Sequence, residues 1–381
     1  YSSGELKQIG LDYIKNIKDS TANSILVDAG DATQGSPLGK FSKGVDIIKL
    51  MNKTSYDVMT IGNHEFDYGK DAVMDIAKNA DFPILSANTL YNGNDFLASI
   101  NGYNGCNFIK EINGKKIGFF GITTSETTKT TIPKNLEGIT FEDEIETSKK
   151  QVKALKEQGA DVTIGIAHVG IESSSKIKSY DIAKAVDGLD IIIDGHSHTK
   201  KTETVFGTLI QQTGTESSTL GKINITFNGN DFKIDAGLLT ANEVQKNYTP
   251  DQNVTNYYNE LYSKIAPTLE KVIGATDSTL FGGNYNSKNI SRIVEANLGD
   301  LIGDAMIYES KNLLKDSEYK NLPIVALENG GSVRSRIDKG FITMEDVLEV
   351  LPLDNKLTLQ VITPKILYQT MERGVCKMKP P

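Results

Sequence analysis

Apolar positions in the first two hundred residues alternate between helical spacing and short continuous runs. Residues 6–17 carry apolar side chains three or four positions apart, which predicts a helix, and the apolar run 24–27 predicts a strand. The same alternation predicts helices over 45–51, 71–80, 144–158 and 177–186, and strands over 58–61, 84–87, 117–122, 162–167 and 191–193. Strands that alternate with helices of this length are typical of an α/β fold with a largely parallel sheet.

The pattern changes after residue 208. Residues 209–236 are strand-rich, with turns predicted at Gly221 and at 228–230, and residues 256–272 predict a helical connector interrupted at Pro267. Beyond it, apolar segments at 290–308, 324–327, 344–350 and 357–362 and a turn at 329–331 indicate a second, smaller α/β domain. We therefore expect a first domain over 1–248, a linker over 249–272 and an incomplete second domain over 273–381.

The composition is that of a globular protein, because 38% of the 381 residues are hydrophobic and 24% are charged. The net charge of -8 excludes a broad basic surface for a nucleic acid polymer. No apolar run approaches the roughly 20 residues that span a bilayer. The chain begins with Tyr1 and shows no signal-peptide pattern, so we expect the natural N-terminus to lie upstream.

All four histidines stand just after apolar strand candidates. His64 follows residues 57–63, His168 follows 161–167, His196 and His198 follow 190–195, and Asp31 ends the run 24–31 in the same way. The carboxyl ends of strands in open α/β sheets converge at one edge, so these five residues are expected to share one crevice. Imidazole and carboxylate suit zinc, manganese, cobalt or nickel. Two such ions about 4 Å apart activate water for displacement at phosphorus.

The segment 62–67 places an amide, an imidazole and a carboxylate close together. Asn63 can ligate a metal while His64 faces the substrate, and Asp67 can hydrogen-bond His64 and keep it cationic. A cationic histidine stabilises phosphoryl charge or protonates the leaving alkoxide.

Arginine is rare among the 41 basic residues and occurs only after residue 290, at Arg292, Arg334, Arg336 and Arg373. Codon bias is one explanation. The other is that arginine is retained where a planar bidentate donor is needed.

Four motifs occur in order along the first part of the chain: GDATQG (30–35), GNHEFDYG (62–69), GIAHVG (165–170) and GHSHT (195–199). They resemble the metal motifs of the calcineurin-like metallophosphoesterases. With ANLGDLIGDAM (296–306) and ENGGSVR (328–334), the chain resembles the 5'-nucleotidase family over nearly its whole length. The resemblance implies a layered metallophosphoesterase domain, with sheets flanked by helices, followed by a smaller α/β substrate-binding domain.

The resemblance also implies a site with two divalent metal ions, such as zinc or manganese. Asp31 would bridge the ions, His198 would bind the first, and the second would be held by Asn63, His168 and His196. His64 and Asp67 would form the catalytic pair.

In the second domain the resemblance assigns Arg292 and Arg334 to the substrate phosphate and Asn329 to the nucleoside. Lys288 stands where some relatives have a further arginine. Leu353 occupies the place of an aromatic ring that usually stacks on the nucleobase, which leaves base preference open.

One family motif, an aspartate and a histidine one residue apart, is not in the sequence. It should precede the 6–17 helix, and we expect it before Tyr1. Without it the first metal has only Asp31 and His198, too few ligands for a zinc-like ion, and the protein would be a one-metal remnant.

The resemblance implies hydrolysis of nucleoside 5'-monophosphates to nucleoside and phosphate by a water activated between two metals. A 2',3'-cyclic-nucleotide phosphodiesterase or a nucleotide-sugar hydrolase of the same family is the alternative. Rivals of other classes are a non-catalytic nucleotide- or metal-binding surface protein and a structural domain with incidental histidines. The expected partner is a nucleotide, and the expected location is extracellular, periplasmic or attached to the cell surface.

Overall fold

The computed structural model describes residues 8–173, 175–229, 231–285, 288–353 and 355–375. The chain divides into two compact units, the first ending at Ile265 and the second beginning at Ala266. Each unit has a hydrophobic cluster of its own.

The first unit alternates strands with helices over most of its length. Its strands are β1 (Val27–Asp28), β2 (Val58–Thr60), β3 (Ile84–Leu85), β4 (Thr89–Tyr91), β5 (Asn94–Asp95), β6 (Asn107–Ile112), β7 (Lys115–Thr123), β8 (Ile139–Phe141), β9 (Val162–His168), β10 (Ile191–Asp194), β11 (Lys200–Val205), β12 (Thr208–Thr213), β13 (Thr219–Asn228) and β14 (Asp231–Thr240). Its helices are α1 (Leu11–Ser20), α2 (Pro37–Ser42), α3 (Val45–Thr54), α4 (Lys70–Asn79), α5 (Thr127–Thr130), α6 (Glu144–Glu157), α7 (Ser179–Ala185), α8 (Ala241–Asn247) and α9 (Gln252–Leu269). Short 3-10 helices cover His64–Tyr68 and Pro133–Leu136.

Two main sheets carry the strand ends that matter for function. One is three-stranded and parallel, in the order β1-β2-β3, and the other is six-stranded, in the order β11-β12-β10-β9-β7-β6. The four inner strands of the larger sheet are parallel to one another, and its two edge strands are antiparallel to their neighbours. Strands β13 and β14 form a long antiparallel hairpin.

The core is layered. Apolar side chains of both sheets and of the hairpin, including Val58, Phe119 and Ile223, form one cluster. Outside it, α3 and α4 pack on the smaller sheet, and α6 and α7 pack on the larger sheet through a cluster that contains Phe120. Phe119 and Phe120 thus lie on opposite faces of the larger sheet, because successive side chains of a strand alternate between its two faces. The result is two sheets between two layers of helix.

The predicted alternation of helices and strands is confirmed in the first unit, with several differences of detail. The predicted turn at Gly221 is wrong, because Gly221 lies inside β13, and the real bend falls after Asn228. The predicted interruption at Pro267 is also wrong, because α9 continues through this residue. The helix ends at Leu269, so the hydrogen bond that proline cannot donate is lost only in the last turn. The edge strands β6 and β11, the short strands β4, β5 and β8, and the short helices α2, α5 and α8 were not predicted.

The second unit is smaller and carries less regular structure. It contains β15 (Val272–Thr276), β16 (Asn284–Tyr285), β17 (Lys288–Asn289), α10 (Asn297–Leu314), β18 (Gly340–Thr343), α11 (Met344–Val350) and α12 (Pro364–Val375), with a 3-10 turn at Ile290–Arg292. Strand β15 pairs antiparallel with β18. The buried hydrophobic cluster of the second unit consists of Leu298, Val333, Ile337 and Val350.

The apolar segments 324–327 and 357–362, which contributed to the expectation of a second α/β domain, are neither strand nor helix in the described chain. An apolar run becomes a strand only where a neighbouring strand completes its backbone hydrogen bonds. Several of these apolar side chains are exposed, including Val325, Leu327 and Val361. Among the described residues, no helix is long and apolar enough to cross a membrane.

Candidate metal centre

The predicted metal ligands of the first unit lie at the carboxyl ends of parallel strands. In the smaller sheet, Asp31 follows β1 and Asn63 follows β2, and these two strands are parallel neighbours. In the larger sheet, His168 ends β9 and His196 follows β10, which are also parallel neighbours. Ligand atoms of Asp31, His168 and His196 all lie within 4.8 Å of one another. The structure therefore brings together residues that are up to 165 positions apart in the chain (196 − 31).

Specific contacts orient each ligand. His168 is buried, with Nδ1 2.7 Å from the carbonyl oxygen of Ala29 and Nε2 2.9 Å from Asp31 Oδ2. His196 Nδ1 lies 3.0 Å from Asn63 Oδ1, and the two imidazole rings are 5.1 Å apart. The contact with Ala29 directs Nε2 of His168 towards the carboxylate.

The donor set fits a divalent cation. Nε2 of His168 is buried, and within the part of the chain that the structure describes its one partner is the Asp31 carboxylate. Burial lowers the pKa of His168, but Asp31 outweighs it and raises the pKa to about 9, so a proton is held between them. A divalent ion can take the place of that proton. Burial and His168 lower the pKa of His196 to about 4, which leaves its imidazole neutral and able to ligate.

The Asp31 carboxylate is the centre of negative charge. Burial acts to raise its pKa, but the imidazoles of His168 and His64 outweigh burial and hold the pKa below its ordinary value. Asp31 Oδ1 also accepts a hydrogen bond from the backbone N–H of His64 at 2.8 Å. Asp31 thus remains ionised.

His198 differs from the other predicted ligands. It is exposed and lies outside the three-residue group found among the described residues. Its assignment to a first metal stays a prediction.

Backbone strain is concentrated at this edge. Asp31, His196 and His198 have φ values of 62°, 72° and 55°, in the left-handed region that costs non-glycine residues roughly 1–3 kcal/mol. Gly195 permits the close approach of the loops, because a Cβ there would lie 2.9 Å from both His168 Nδ1 and the Ala29 oxygen. Such strain is found where a fold holds ligands in a required geometry.

Glu65 is a residue whose role the sequence did not reveal. Its carboxylate is 1% exposed, with Oε2 accepting the backbone N–H of Asp31 at 2.8 Å and of Gly62 at 2.6 Å. Oε1 accepts the N–H and the hydroxyl of Thr33, both at 3.1 Å. Burial and Asp31 raise the pKa of Glu65. Glu65 therefore joins the loop after β1 to the loop after β2.

His64 and Asp67 form a hydrogen-bonded pair on the 3-10 helix that follows β2. His64 Nδ1 is 2.7 Å from Asp67 Oδ2, and both side chains are partly exposed. Burial lowers the pKa of His64, but Asp31 and then Asp67 outweigh it and raise the pKa to about 9. Asn135 donates to the backbone oxygen of Asp67 at 2.7 Å and steadies the turn. His64 is therefore cationic at neutral pH.

The predicted substrate residues lie in the second unit. Arg292 is exposed, and its guanidinium lies against Gly331, where a Cβ would be 2.1 Å from a guanidinium nitrogen. Asn329, in the same turn, accepts the Gly331 N–H at 3.2 Å, and the Arg334 N–H donates to the Val350 oxygen at 2.9 Å.

Arg292 thus lies beside the turn that carries Asn329. Leu353 is half-buried, while the side chain of Lys288 lies outside the described part of the structure.

Two known protein families match successive parts of the chain. The family model described as calcineurin-like phosphoesterase matches residues 10–200, and that of the 5'-nucleotidase C-terminal domain matches residues 272–380. A snake venom 5'-nucleotidase of Crotalus adamanteus is 30% identical over 389 residues, which cover 95% of this chain and 63% of that protein.

The trifunctional nucleotide phosphoesterase protein YfkN of Bacillus subtilis is 29% identical over 405 residues, covering 96% of this chain and 26% of that protein. The chain thus spans less than two thirds of the length of these relatives. The structure of a 5'-nucleotidase precursor from Thermus thermophilus matches with a TM-score of 0.78 at 24% identity, covering 98% of this chain and 75% of that one.

The expected fold class is confirmed by these matches, since the layered first unit and the smaller second unit correspond to the two matched families. The chain belongs to the 5'-nucleotidase family of calcineurin-like metallophosphoesterases.

Proposed function

We propose that the protein is a metal-dependent phosphoesterase that hydrolyses nucleoside 5'-monophosphates to nucleoside and phosphate. The observation that carries this proposal is the grouping of Asp31, His168 and His196 at the strand ends, with the His64–Asp67 pair on the adjacent turn. The names of the relatives, which include 5'-nucleotidases, support the substrate class.

In the proposed site, Asp31, Asn63, His168 and His196 hold one divalent ion, and Asp31 with His198 contributes to a second. The ions, zinc or manganese, would activate the attacking water and offset charge on the phosphoryl oxygens.

The remaining steps fall to other side chains. His64, kept cationic by Asp31 and Asp67, stabilises the developing negative charge and donates a proton to the leaving alkoxide. Arg292 and Arg334 bind the substrate phosphate, because a guanidinium matches phosphate oxygens in a bidentate manner. Asn329 and Lys288 contact the rest of the nucleotide.

A second candidate is hydrolysis of 2',3'-cyclic nucleotides or nucleotide sugars. Leu353 favours it, because a leucine at this position lacks the ring that contributes about 0.5 to 1.5 kcal/mol to stacking. YfkN, a relative, is described as a trifunctional nucleotide phosphoesterase. A non-catalytic nucleotide- or metal-binding protein is the candidate of another class. The relation to venom 5'-nucleotidases supports an extracellular or cell-surface location.

The test is phosphate release from AMP after metal stripping, with manganese or zinc added back. We expect metal-dependent release by the unaltered protein and a loss of several orders of magnitude in His64→Ala. Opening of cyclic nucleotides to nucleoside monophosphates, or cleavage of nucleotide sugars to a nucleoside monophosphate and a sugar phosphate, is followed by chromatography of the products. Either reaction without phosphate release from AMP would favour the second candidate. Zinc binding without cleavage of any of these substrates would favour the binding protein.

A further inference from the structure

A buried carboxylate lies between the two histidine loops and has no place in the proposed chemistry. Asp194 is the last residue of β10 and is 3% exposed. Its Oδ1 accepts the backbone N–H groups of Val169, Gly170 and Gly195, at 3.3, 3.0 and 2.9 Å. One oxygen therefore binds the residues just after His168 and the residue just before His196.

The other oxygen of Asp194 is held by a second buried side chain. Gln212, on β12, is 1% exposed and donates from Nε2 to Asp194 Oδ2 at 2.9 Å. Gln212 Oε1 accepts the N–H of Thr199 at 2.6 Å and the hydroxyl of Ser197 at 3.0 Å.

Ser197 Oγ in turn accepts the N–H of Ile171 at 3.2 Å, so the loop after β9 and the loop after β10 are joined a second time. We call these two side chains, Asp194 and Gln212, the loop clamp.

The loop clamp supports a segment whose backbone conformation is strained. His196 and His198 both have left-handed backbone angles and lie beyond Asp194, the last residue of β10. A strained loop keeps its conformation only when the surrounding structure over-determines it. Six side-chain hydrogen bonds supply much of this support, four to Asp194 and two to the side-chain Oε1 of Gln212.

We propose that Asp194 and Gln212 are positioning residues that fix the separation of His168 and His196 and thereby set the affinity of the site for a divalent ion. The proposal rests on the metal centre of the proposed function. Neither side chain touches the ion or the substrate in this scheme, and both act through the backbone of the histidine loops. Loss of such supporting partners typically lowers metal affinity about 10- to 100-fold.

The chemistry of the loop clamp offers an exchange test. In Asp194→Asn, an amide oxygen can still accept the three backbone N–H groups, but the new NH2 group faces the Gln212 NH2 group. Gln212 can relieve this only by turning its amide, which then presents a donor to the Thr199 N–H. Adding Gln212→Glu restores an acceptor for the new NH2 group, for Thr199 and for Ser197. The double variant keeps the net charge and the number of hydrogen bonds.

The experiment measures zinc affinity by competition with a fluorescent chelator, with circular dichroism to confirm folding. We expect Asp194→Asn to bind zinc about 10- to 100-fold more weakly, and the double variant to return to within a few-fold of the unaltered protein. Asp190→Asn is the matched control, because Asp190 precedes the same strand and binds the Thr163 N–H at 2.8 Å, at the end away from the histidines. It should leave zinc affinity unchanged.

Each outcome decides a different point. If the unaltered protein binds neither zinc nor manganese, the metal centre is wrong and the clamp proposal falls with it; if it binds manganese alone, the same comparison is made with manganese. If it binds zinc and folded Asp194→Asn binds equally well, or the double variant gains nothing, the clamp proposal alone is overturned. If Asp194→Asn does not fold, the Gln212→Met variant is measured in its place. Gln212→Met leaves the three backbone hydrogen bonds to Asp194 intact. Zinc affinity unchanged in folded Gln212→Met would also overturn the proposal.

Discussion

Replacement of Glu65 by glutamine tests whether one buried carboxylate joins the first two metal-binding loops. The substitution keeps the shape of the side chain but removes its charge and one acceptor oxygen. The amide oxygen best takes the place of Oε2, because that position accepts the N–H groups of both Asp31 and Gly62. The new NH2 group then faces the N–H of Thr33, so two donors oppose each other.

The expected cost follows from these contacts. Hydrogen bonds to a charged acceptor contribute about 1.5–3 kcal/mol, against about 1 kcal/mol for neutral partners. Two bonds to Oε2 therefore weaken by about 1 kcal/mol each, and an unpaired buried N–H at Thr33 adds about 1–2 kcal/mol. Burial already raises the pKa of Glu65, so removal of the charge returns part of this cost. The free energy of unfolding should fall by about 2–3 kcal/mol.

The assay is urea unfolding of the metal-free protein, followed by circular dichroism because the chain contains no tryptophan. Glu157→Gln is the control, since its exposed carboxylate lies 3.9 Å from Lys153 within one helix and should contribute less than about 0.5 kcal/mol. If Glu65→Gln matches this control, the carboxylate does not join the loops and the reasoning is wrong.

Three further substitutions test other parts of the first unit. Asp67→Asn removes the carboxylate 2.7 Å from His64 Nδ1, so AMP hydrolysis should slow by about 100-fold in steady-state assays while zinc affinity is unchanged. The pKa of Asp57 is lowered because two lysine ammonium groups and a backbone N–H outweigh the effect of burial. The ionised carboxylate therefore stabilises the folded state above about pH 4, and this stabilisation is lost as the pH falls further. Asp57→Asn should therefore lower the free energy of unfolding by about 3 kcal/mol at pH 7 and by less at pH 3, in parallel urea titrations; an equal loss at both values would contradict the assignment. Gly195→Ala should weaken zinc binding in the chelator assay because its Cβ meets a histidine ring, whereas Gly237→Ala, with open space around it, should not; equal effects would show that close approach is not the cause.

Much of the first unit and its metal ligands could be predicted, because the information is local. Each buried strand is a continuous apolar run, and Asp31, His168 and His196 directly follow or end such runs. Since parallel strands align their carboxyl ends, positions far apart in sequence could be placed together without knowledge of contacts.

The supporting residues could not be predicted in the same way. Glu65, Asp194 and Gln212 act by accepting or donating hydrogen bonds to backbone groups on other loops, and no spacing in the sequence encodes such partners. A partial signal exists for Asp194, which lies next to glycine at the end of an apolar run, as Asp31 does. The strand pairing of the second unit could not be predicted for a related reason, because an apolar run alone does not specify which strand it pairs with.

The left-handed backbone at Asp31 and His196 also limits how this site can be altered by protein engineering or by evolution. A change of metal preference would ordinarily be sought by exchanging ligand types, for example by introducing cysteine for a softer ion. These positions have φ of 62° and 72°, a left-handed conformation that short polar side chains tolerate best. Most other replacements would therefore be strained in the turn. Asparagine is the substitution that best keeps both the turn and an oxygen ligand, so the shape of the loops narrows the accessible metal chemistry.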